Sequence, residues 1–376
     1  MVFLCLHAVQ TIPYANLNRD DLGAPKTLTF GGSTRIRLSS QALGRPLRDY
    51  VERTTGIHAV RTRRIGQQVA VQLQERGWSE ELAMLAGRLV LEGTGFKLDK
   101  RGTKSLLFVP AVTAAQIADL CDEHRDAIEE VAAKGKTDKK LTSALGTGVR
   151  KLIGRRNGSI ALFGRMLSEL PGAGVDASRQ MAHGFTTHTA RRQPDFFVAV
   201  DDVTHDSEEP GSGHMNHHEF MSGVFYRYAV LDLSELLSED GLDGDTDTAR
   251  TLTDAFISGF IRVLPQAKKN VTAPHTVPDL VHMSVRTDQP INYAGAFEKP
   301  VAAEQGGGWA RPSRTALDHY ATAINRLMGT ENVAFSAYAS IADDEELTGL
   351  GNRLDSYREL SQGAVDALFK AHTAAR

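Results

Sequence analysis

The stretch Phe220-Met-Ser-Gly-Val-Phe-Tyr-Arg-Tyr-Ala-Val-Leu231 decides how the rest of the chain is read. Its aromatic and β-branched residues suit a pleated, packed strand. Just upstream, Asp195-Phe-Phe-Val-Ala-Val-Asp-Asp-Val203 has the same character, and the segment between is Gly, Pro, His and acid with no hydrophobic period. The pair reads as a long β-hairpin with a mobile tip. Working outward, residues 2–10 read as another strand and Thr34–Leu38 as a short one. In the latter Arg35 and Arg37 alternate with Ile36 and Leu38, so both guanidiniums are expected on one outer face and the apolar pair toward the core. Residues 11–33 read as a long polar loop, a kind of segment that often carries function.

Helical periodicity dominates from about 57 to 190, with amphipathic runs near 64–76, 79–92, 113–134 and 142–155 around a Leu106–Val109 strand. This is an inserted helical lobe. Beyond the hairpin, a helix (248–263), a strand (280–287), a helix (313–328), a strand (333–339) and a closing helix (353–372) follow, so the fold class is α+β. Ser39-Ser40 signals a helix start, after which Leu43, Leu47, Tyr50 and Val51 make an apolar stripe and Gln41, Arg45, Arg48 and Glu52 share the other face. Pro46 offers a second start, which would leave Arg45 extended.

With 376 residues, 41% hydrophobic and 24% charged, the chain is globular and holds about two domains. Cys5 and Cys121 are its only cysteines, which excludes a disulfide framework and a Cys-rich zinc motif. The net charge of −3 conceals a split: residues 1–165 carry 26 Lys and Arg against 16 Asp and Glu, leaving 17 against 30 for the remainder. Such asymmetry suits a polyanion partner, or mutually attracting faces within the fold or between copies. The opening residues lack a signal-peptide pattern and nowhere do roughly 18 apolar residues run together. A soluble cytoplasmic protein without a membrane partner is expected.

Signatures of catalysis are missing: there is no GxSxG elbow, no Walker A loop and no GxGxxG after a strand. His205, Asp206, His214, His217, His218 and Glu219 could hold a metal by residue type, but no fixed spacing preorganises them, so a solvated loop tip is the expectation and no metal or cofactor is assigned. Asp243, Asp245, Asp247 and Asp254 imitate a calcium loop, yet Thr248 stands where the turn needs glycine, and acids capping the next helix explain them better. Arg19, Lys26, Arg35, Arg37, Arg45 and Arg48 lie within thirty residues, and arginine forks beside a helix start can cradle phosphates. Phe225, Tyr226 and Tyr228 could stack on bases if their strand is exposed, or simply be buried.

Asn16-Leu-Asn-Arg-Asp-Asp21, Pro25-Lys26, Phe30-Gly-Gly32 and Arg35-Ile-Arg-Leu-Ser-Ser-Gln41 together resemble the CasC family, the crRNA-binding backbone subunit of the type I-E CRISPR effector Cascade. The resemblance continues through Phe163-Gly-Arg-Met166, Met181-Ala-His-Gly-Phe-Thr-Thr-His188, Ala199-Val-Asp-Asp202, Glu219–Ala229 and Ala296-Phe-Glu-Lys299. It implies an RRM-like (ferredoxin-like) palm in residues 1–60 and 223–376, a helical fingers insertion at 61–190 and a thumb β-hairpin at 191–222. It also implies copies stacked head to tail on one crRNA, which pairs with target DNA, alongside other Cascade subunits and a recruited nuclease-helicase. Arg19, Lys26, Ser39, Ser40, Gln41, Arg45 and Arg48 match the family's backbone-cradling positions, and Met166 on the palm matches an RNA-contacting wedge. Phe197 and Met215 on the thumb match residues that displace a base at regular intervals. The family's lysine three places after Gln41 is replaced here by Gly44, which puts one phosphate contact in question, with Arg45 or Arg35 as possible compensation. No catalytic residue is implied. The competing enzyme reading is an RRM-like endoribonuclease that processes CRISPR RNA with His183 or His188 as general acid or base.

Overall fold

The computed structural model describes residues 1–100, 102–136, 138–200, 212–344 and 346–375. The chain enters through β1 (Phe3–Ala15), a hairpin of β2 (Thr27–Phe30) and β3 (Ser33–Leu38), and α1 (Ser40–Thr55). It continues with β4 (Ala59–Thr62), α2 (Ile65–Glu75), α3 (Glu80–Glu92), β5 (Leu107–Pro110), α4 (Thr113–Glu123), α5 (Arg125–Lys134), α6 (Lys139–Gly154) and α7 (Gly158–Phe163). Then come β6 (Arg179–Met181), β7 (Gly184–Thr186), β8 (Gln193–Val200), β9 (Ser212–Asp232), α8 (Thr246–Arg262), β10 (Leu280–Arg286), α9 (Ala310–Met328), β11 (Val333–Ser340) and α10 (Tyr357–Ala374).

Two compact units result, one from residues 1–51, 179–234 and 253–376, the other from 52–178 and 235–252. The first is built on a ten-stranded sheet with the order β11-β10-β1-β9-β7-β3-β2, to which β6 and β8 add by pairing with β9 and the two-residue strand Asn352–Arg353 by pairing parallel with β11. β1 lies at its centre, antiparallel to β9 from Phe3↔Asp232 to Ile12↔Gly223 and to β10 from Phe3↔Arg286 to Val9↔Leu280. Because side chains alternate along a strand, β1 supplies both faces. Phe3, Cys5 and Val9 join Tyr226, Tyr228, Phe297 and, from α9, Leu317 and Ala321 in one core. On β9, Arg227 reaches the Phe260 carbonyl of α8, and Phe335 of β11 lies against Gly363 of α10. Phe225, Tyr226 and Tyr228 are enclosed, at 0%, 1% and 8% exposed, so these three offer no open stacking platform.

The second unit is mostly helical. Ile65, Val69 and Leu73 of α2, Ala86, Leu89 and Val90 of α3, Ile117 and Cys121 of α4, and Leu145, Val149 and Ile153 of α6 share one core. Close approach of α2 and α3 depends on two glycines, since a Cβ on Gly66 would stand 2.3 Å from the Gly87 carbonyl oxygen and one on Gly87 equally near that of Gly66. Ser79, Asp138 and Asn157 cap α3, α6 and α7 by accepting from the amides of Leu82, Lys140 and Ile160, contacts each worth about 1 kcal/mol.

Three expectations about elements change. Residues 11–33 are not one loop, because β1 runs on to Ala15 and β2 takes Thr27–Phe30. The run 113–134 is two helices divided at His124, whose backbone (φ −112°, ψ 19°) leaves helical geometry. α1 starts at Ser40 and carries Pro46 inside it, so Arg45 is helical rather than extended. Among the described residues no helix is long and apolar enough to cross a membrane.

Candidate nucleic-acid interface

The segment after β1 is shaped by three short polar side chains. Asn16, 1% exposed, donates through Nδ2 to the carbonyls of Gly23 (2.9 Å) and Glu219 (2.8 Å). Asn18 accepts at Oδ1 from the Ser39 amide (2.8 Å), while its carbonyl receives the Lys26 amide (2.9 Å). Asp20 accepts from the amides of Leu22 and Ala24 (3.0 Å each) and from Arg192 (3.1 Å), which also contacts Glu219 (3.4 Å). Partial burial works against its ionisation, but those amides and Arg192 outweigh it and hold the Asp20 carboxyl below the usual range. Such local side-chain bonds are how Asn and Asp hold turns. Between the staples Arg19, bridged to Pro25, is exposed and Lys26 half-buried.

The same network reaches the start of α1. Ser39 is its cap: Oγ accepts from the Ala42 amide (3.2 Å), and the hydroxyl is buried. Ser40 is half-exposed, while Gln41 and Arg45 project to solvent. Arg48 is half-buried and pairs with Asp49 at 3.5 Å. By contrast Arg19, Lys26, Arg37 and Arg45 pair with no carboxylate among the described residues. At Gly44 a Cβ would meet an Nη of Arg179 at 2.9 Å, so the guanidinium of Arg179 already covers the spot where a side chain is missing.

Arg35 corrects the expectation that both β3 arginines face outward. It is 0% exposed, and its two Nη atoms donate to the carbonyls of Thr186 (2.9 Å), Phe297 (2.9 Å) and Glu298 (3.3 Å). A guanidinium enclosed in this way is a structural tie between β3, β7 and the Phe297 turn, and it can neither meet a phosphate nor compensate for Gly44. Arg37, on the same strand face, remains accessible. Its Nη1 lies 3.1 Å from Nδ1 of exposed His183, and its Nε donates to the Thr27 carbonyl (3.3 Å). Partial burial, then Arg37 and Lys26, lower the His183 pKa from its ordinary value.

In the helical unit, Gly164 turns the chain at φ 76°, where a Cβ would strike Ala177 at 2.8 Å. Arg165, 4% exposed, then gathers five carbonyls, those of Phe108 (3.2 Å), Ile153 (3.0 Å), Gly154 (2.8 Å), Arg155 (2.8 Å) and Ala173 (2.8 Å). Burial, with Arg156 adding to it, brings its pKa down to about 10. Held by that anchor, Met166 stands 91% exposed in the helical unit, not in the sheet unit to which a place on the palm would assign it.

On the hairpin, Phe197 is 37% exposed and stacks on His218 at 4.8 Å, while His218 Nε2 meets Lys268 Nζ at 3.0 Å. Met215 belongs to the opposite strand, in register with Val198. Within that strand His217 and Glu219 share one face and His218 leaves from the other, so these three cannot converge on one ion. His205 and Asp206 lie outside the described residues. Among the described residues no group of three metal-ligating side chains assembles. Asp245 accepts from the Thr248 amide (3.0 Å) and hydroxyl (2.6 Å) at the start of α8, which is the capping role expected of that acidic run.

His188 is no free acid or base. Its Nδ1 faces the Thr189 carbonyl (2.9 Å), its Nε2 accepts the Val224 amide (3.1 Å), and its ring stacks on Trp309 at 4.0 Å. Those bonds require the neutral Nδ1–H form, and burial above all lowers its pKa. Sequence reasoning did not find the holding residues Asn18, Asp20, Arg192 and Arg179. Asn18 and Asp20 did stand in the Asn16–Asp21 motif that carries the family resemblance, whereas nothing in the sequence singled out Arg179 or Arg192.

Comparison with known proteins places this geometry. Two solved structures are similar over nearly the whole chain. A chain of a "CRISPR RNA-guided surveillance complex, pre-nicking" is 41% identical with a TM-score of 0.91, covering 98% of this chain and 100% of that one. A chain of a "CRISPR RNA-guided surveillance complex" is 36% identical with a TM-score of 0.80, covering 97% and 99%. No curated protein matches. The family model of the CT1975-like proteins matches residues 4–362, and the protein therefore belongs to the CT1975-like family, in keeping with the CasC resemblance carried by its motifs.

Proposed function

We propose that this chain is a non-catalytic crRNA-binding backbone subunit of a type I-E Cascade complex, working in the cytoplasm. The observation that carries the reading is the hydrogen-bonded run Ser39–Asn18–Lys26–Arg37, which holds exposed Arg19 and half-buried Lys26 and Arg37 without carboxylate partners among the described residues and ties them to the start of α1, where Ser40, Gln41 and Arg45 stand. Cations left unpaired on a rigid scaffold suit a polyanion, and phosphate contacts hold RNA without reading its sequence. In this reading the sheet unit is an RRM-like palm (1–60 and 223–376), residues 61–190 are fingers and 191–222 a thumb. Phe197, Met215 and Met166 are wedges, since an apolar side chain packed on neighbouring base faces offsets part of the few kcal/mol that unstacking costs. Copies stack along one guide, other Cascade subunits join them, and base pairing with target DNA reads the sequence. Likeness to chains of surveillance complexes over nearly full length supports this assignment.

The experiment is purification from cells carrying a matching CRISPR array, nuclease digestion of unprotected RNA, and sequencing of what remains. Protected crRNA in repeating footprints is the expected result. Folded protein with intact partner subunits and no protected RNA overturns the proposal. In the same cells His183→Ala should leave guide processing unchanged, and loss of processing would favour the endoribonuclease.

A further inference from the structure

Resting on the RNA-backbone reading, we infer that Lys26, Arg37 and His183 together form a binding site for one RNA phosphodiester group, with His183 as a member that changes protonation when the phosphate arrives. Three strands of observation meet here. Arg37 Nη1 lies 3.1 Å from His183 Nδ1, and because a guanidinium can only donate, Nδ1 is the acceptor and the imidazole proton sits on Nε2. The Arg37 amide is bonded to the Lys26 carbonyl (2.9 Å), and its Nε to the Thr27 carbonyl (3.3 Å), so the backbone fixes the Lys26 and Arg37 positions relative to each other. Among the described residues no carboxylate pairs with Lys26 or Arg37, and His183 is exposed.

The groups facing the imidazole are Arg37 from β3 and Lys26 from the preceding loop, both positive, and with partial burial they keep it neutral. A phosphodiester cancels that repulsion. Its oxygens accept from Lys26 Nζ, from the Arg37 guanidinium and from His183 Nε2–H. Protonating Nδ1 then breaks the Arg37–His183 bond and releases an Nη1–H donor to the phosphate. One proton is taken up from solvent and sits on Nδ1, and no bond to phosphorus forms or breaks. The site thus adds His183 to the contact residues as a binding group rather than a cleaving one.

The test uses the full chain freed of bound RNA, a fluorescent single-stranded RNA oligonucleotide, and inorganic phosphate as a second probe. If His183 gains a proton on binding, wild-type affinity should rise about fivefold between pH 8 and pH 6, and His183→Gln, which keeps an acceptor for Arg37 and an N–H donor but takes up no proton, should abolish that dependence. Imidazole NMR should show the His183 pKa moving up by about one unit with the oligonucleotide. RNA binding with an unchanged pH profile in His183→Gln and an unmoved resonance overturns this site while leaving the backbone reading intact. A resonance that moves with inorganic phosphate but not with RNA means an ion site only and overturns it too. No RNA binding by the wild-type chain overturns both.

Discussion

Arg35 and Arg37 stand two residues apart on one face of β3 and do opposite work. The first spends its donors on three carbonyls inside the fold, and the second reaches a histidine at the edge. The same division separates the interior of the molecule from its rim. Arg165 collects five carbonyls, Arg227 meets Gln10 and the Phe260 carbonyl, and Arg286 forks onto Asp288 (2.9 and 2.7 Å). Arg19, Lys26 and Arg45 meet no carboxylate among the described residues. Buried cations need hydrogen-bond acceptors around most of their donors to be tolerated, even though Nε of Arg35 and of Arg227 has no partner, whereas a cation meant for a ligand must keep its donors open and be held still. The difference teaches that charge counting along a sequence mixes two populations with unrelated purposes.

The largest test of that division is Arg165→Ala. Stranding buried acceptors leaves their desolvation uncompensated, so a loss of at least about 3 kcal/mol in stability is expected. Arg165→Lys should recover only part of it, because one ammonium cannot reproduce a planar fork. Urea unfolding of both variants checks this. Unchanged stability with weakened RNA retention would move Arg165 from the interior class to the rim class.

Much of the architecture was legible in the sequence, because long periodic runs announce themselves: strands 280–286 and 333–340 and helices α2, α3 and α6 of the second unit lie within a few residues of expectation. The site was legible in a different way. The motifs that carry the family resemblance turn out to be largely scaffold: Asn16 and Asp20 shape a loop, Thr186 and the Phe297-Glu298 carbonyls receive Arg35, and Arg165 anchors Met166. Contact candidates ride between such residues. Arg35 was misread because alternation reports which face a side chain leaves from, not what covers that face. The covering segment lies more than 260 residues away. Arg179 was invisible for the same reason, since its position over Gly44 depends on β6 pairing with β9.

Acid should separate interior from rim next. His7 and His282 are buried with ring centroids 5.2 Å apart, held to Tyr226 (2.8 Å) and Ser336 (3.1 Å). Burial keeps both neutral, with His282 lowered to about 3 and His7 well below its ordinary value. Below pH 6.5 the unfolded chain binds protons that the folded chain refuses, so stability is full above that pH and falls as pH drops from 6.5 toward about 3. Each excluded proton contributes a slope of about 1.4 kcal/mol per pH unit. His282→Gln should flatten the urea-midpoint profile in that window, and an identical slope in variant and parent would break the assignment.

At the rim, Arg19→Ala with Lys26→Ala should lower RNA affinity roughly tenfold and reduce the slope of log affinity against log salt by about 1.4, as for two lost single-strand phosphate contacts. Loss should be uniform across guide sequences and leave the urea midpoint unmoved. A loss confined to some sequences would show that these cations read bases.

The smallest effects sharpen the comparison most, because Ser39 and Ser40 are neighbours on opposite sides of the line. Ser39 is buried and caps α1 through Oγ, while its amide, not its hydroxyl, holds Asn18 (2.8 Å). Ser39→Ala should therefore cost about 1 kcal/mol of stability and leave the Asn18 tie, and with it the loop, in place. Ser40 contributes no side-chain bond to a described residue and is half-exposed. Ser40→Ala should leave the unfolding midpoint alone and weaken RNA binding by a few-fold, the scale of one neutral hydrogen bond. If Ser39→Ala alone weakens binding, its hydroxyl proton is shared with RNA while its lone pair caps the helix, and the boundary between scaffold and contact surface runs through a single oxygen atom.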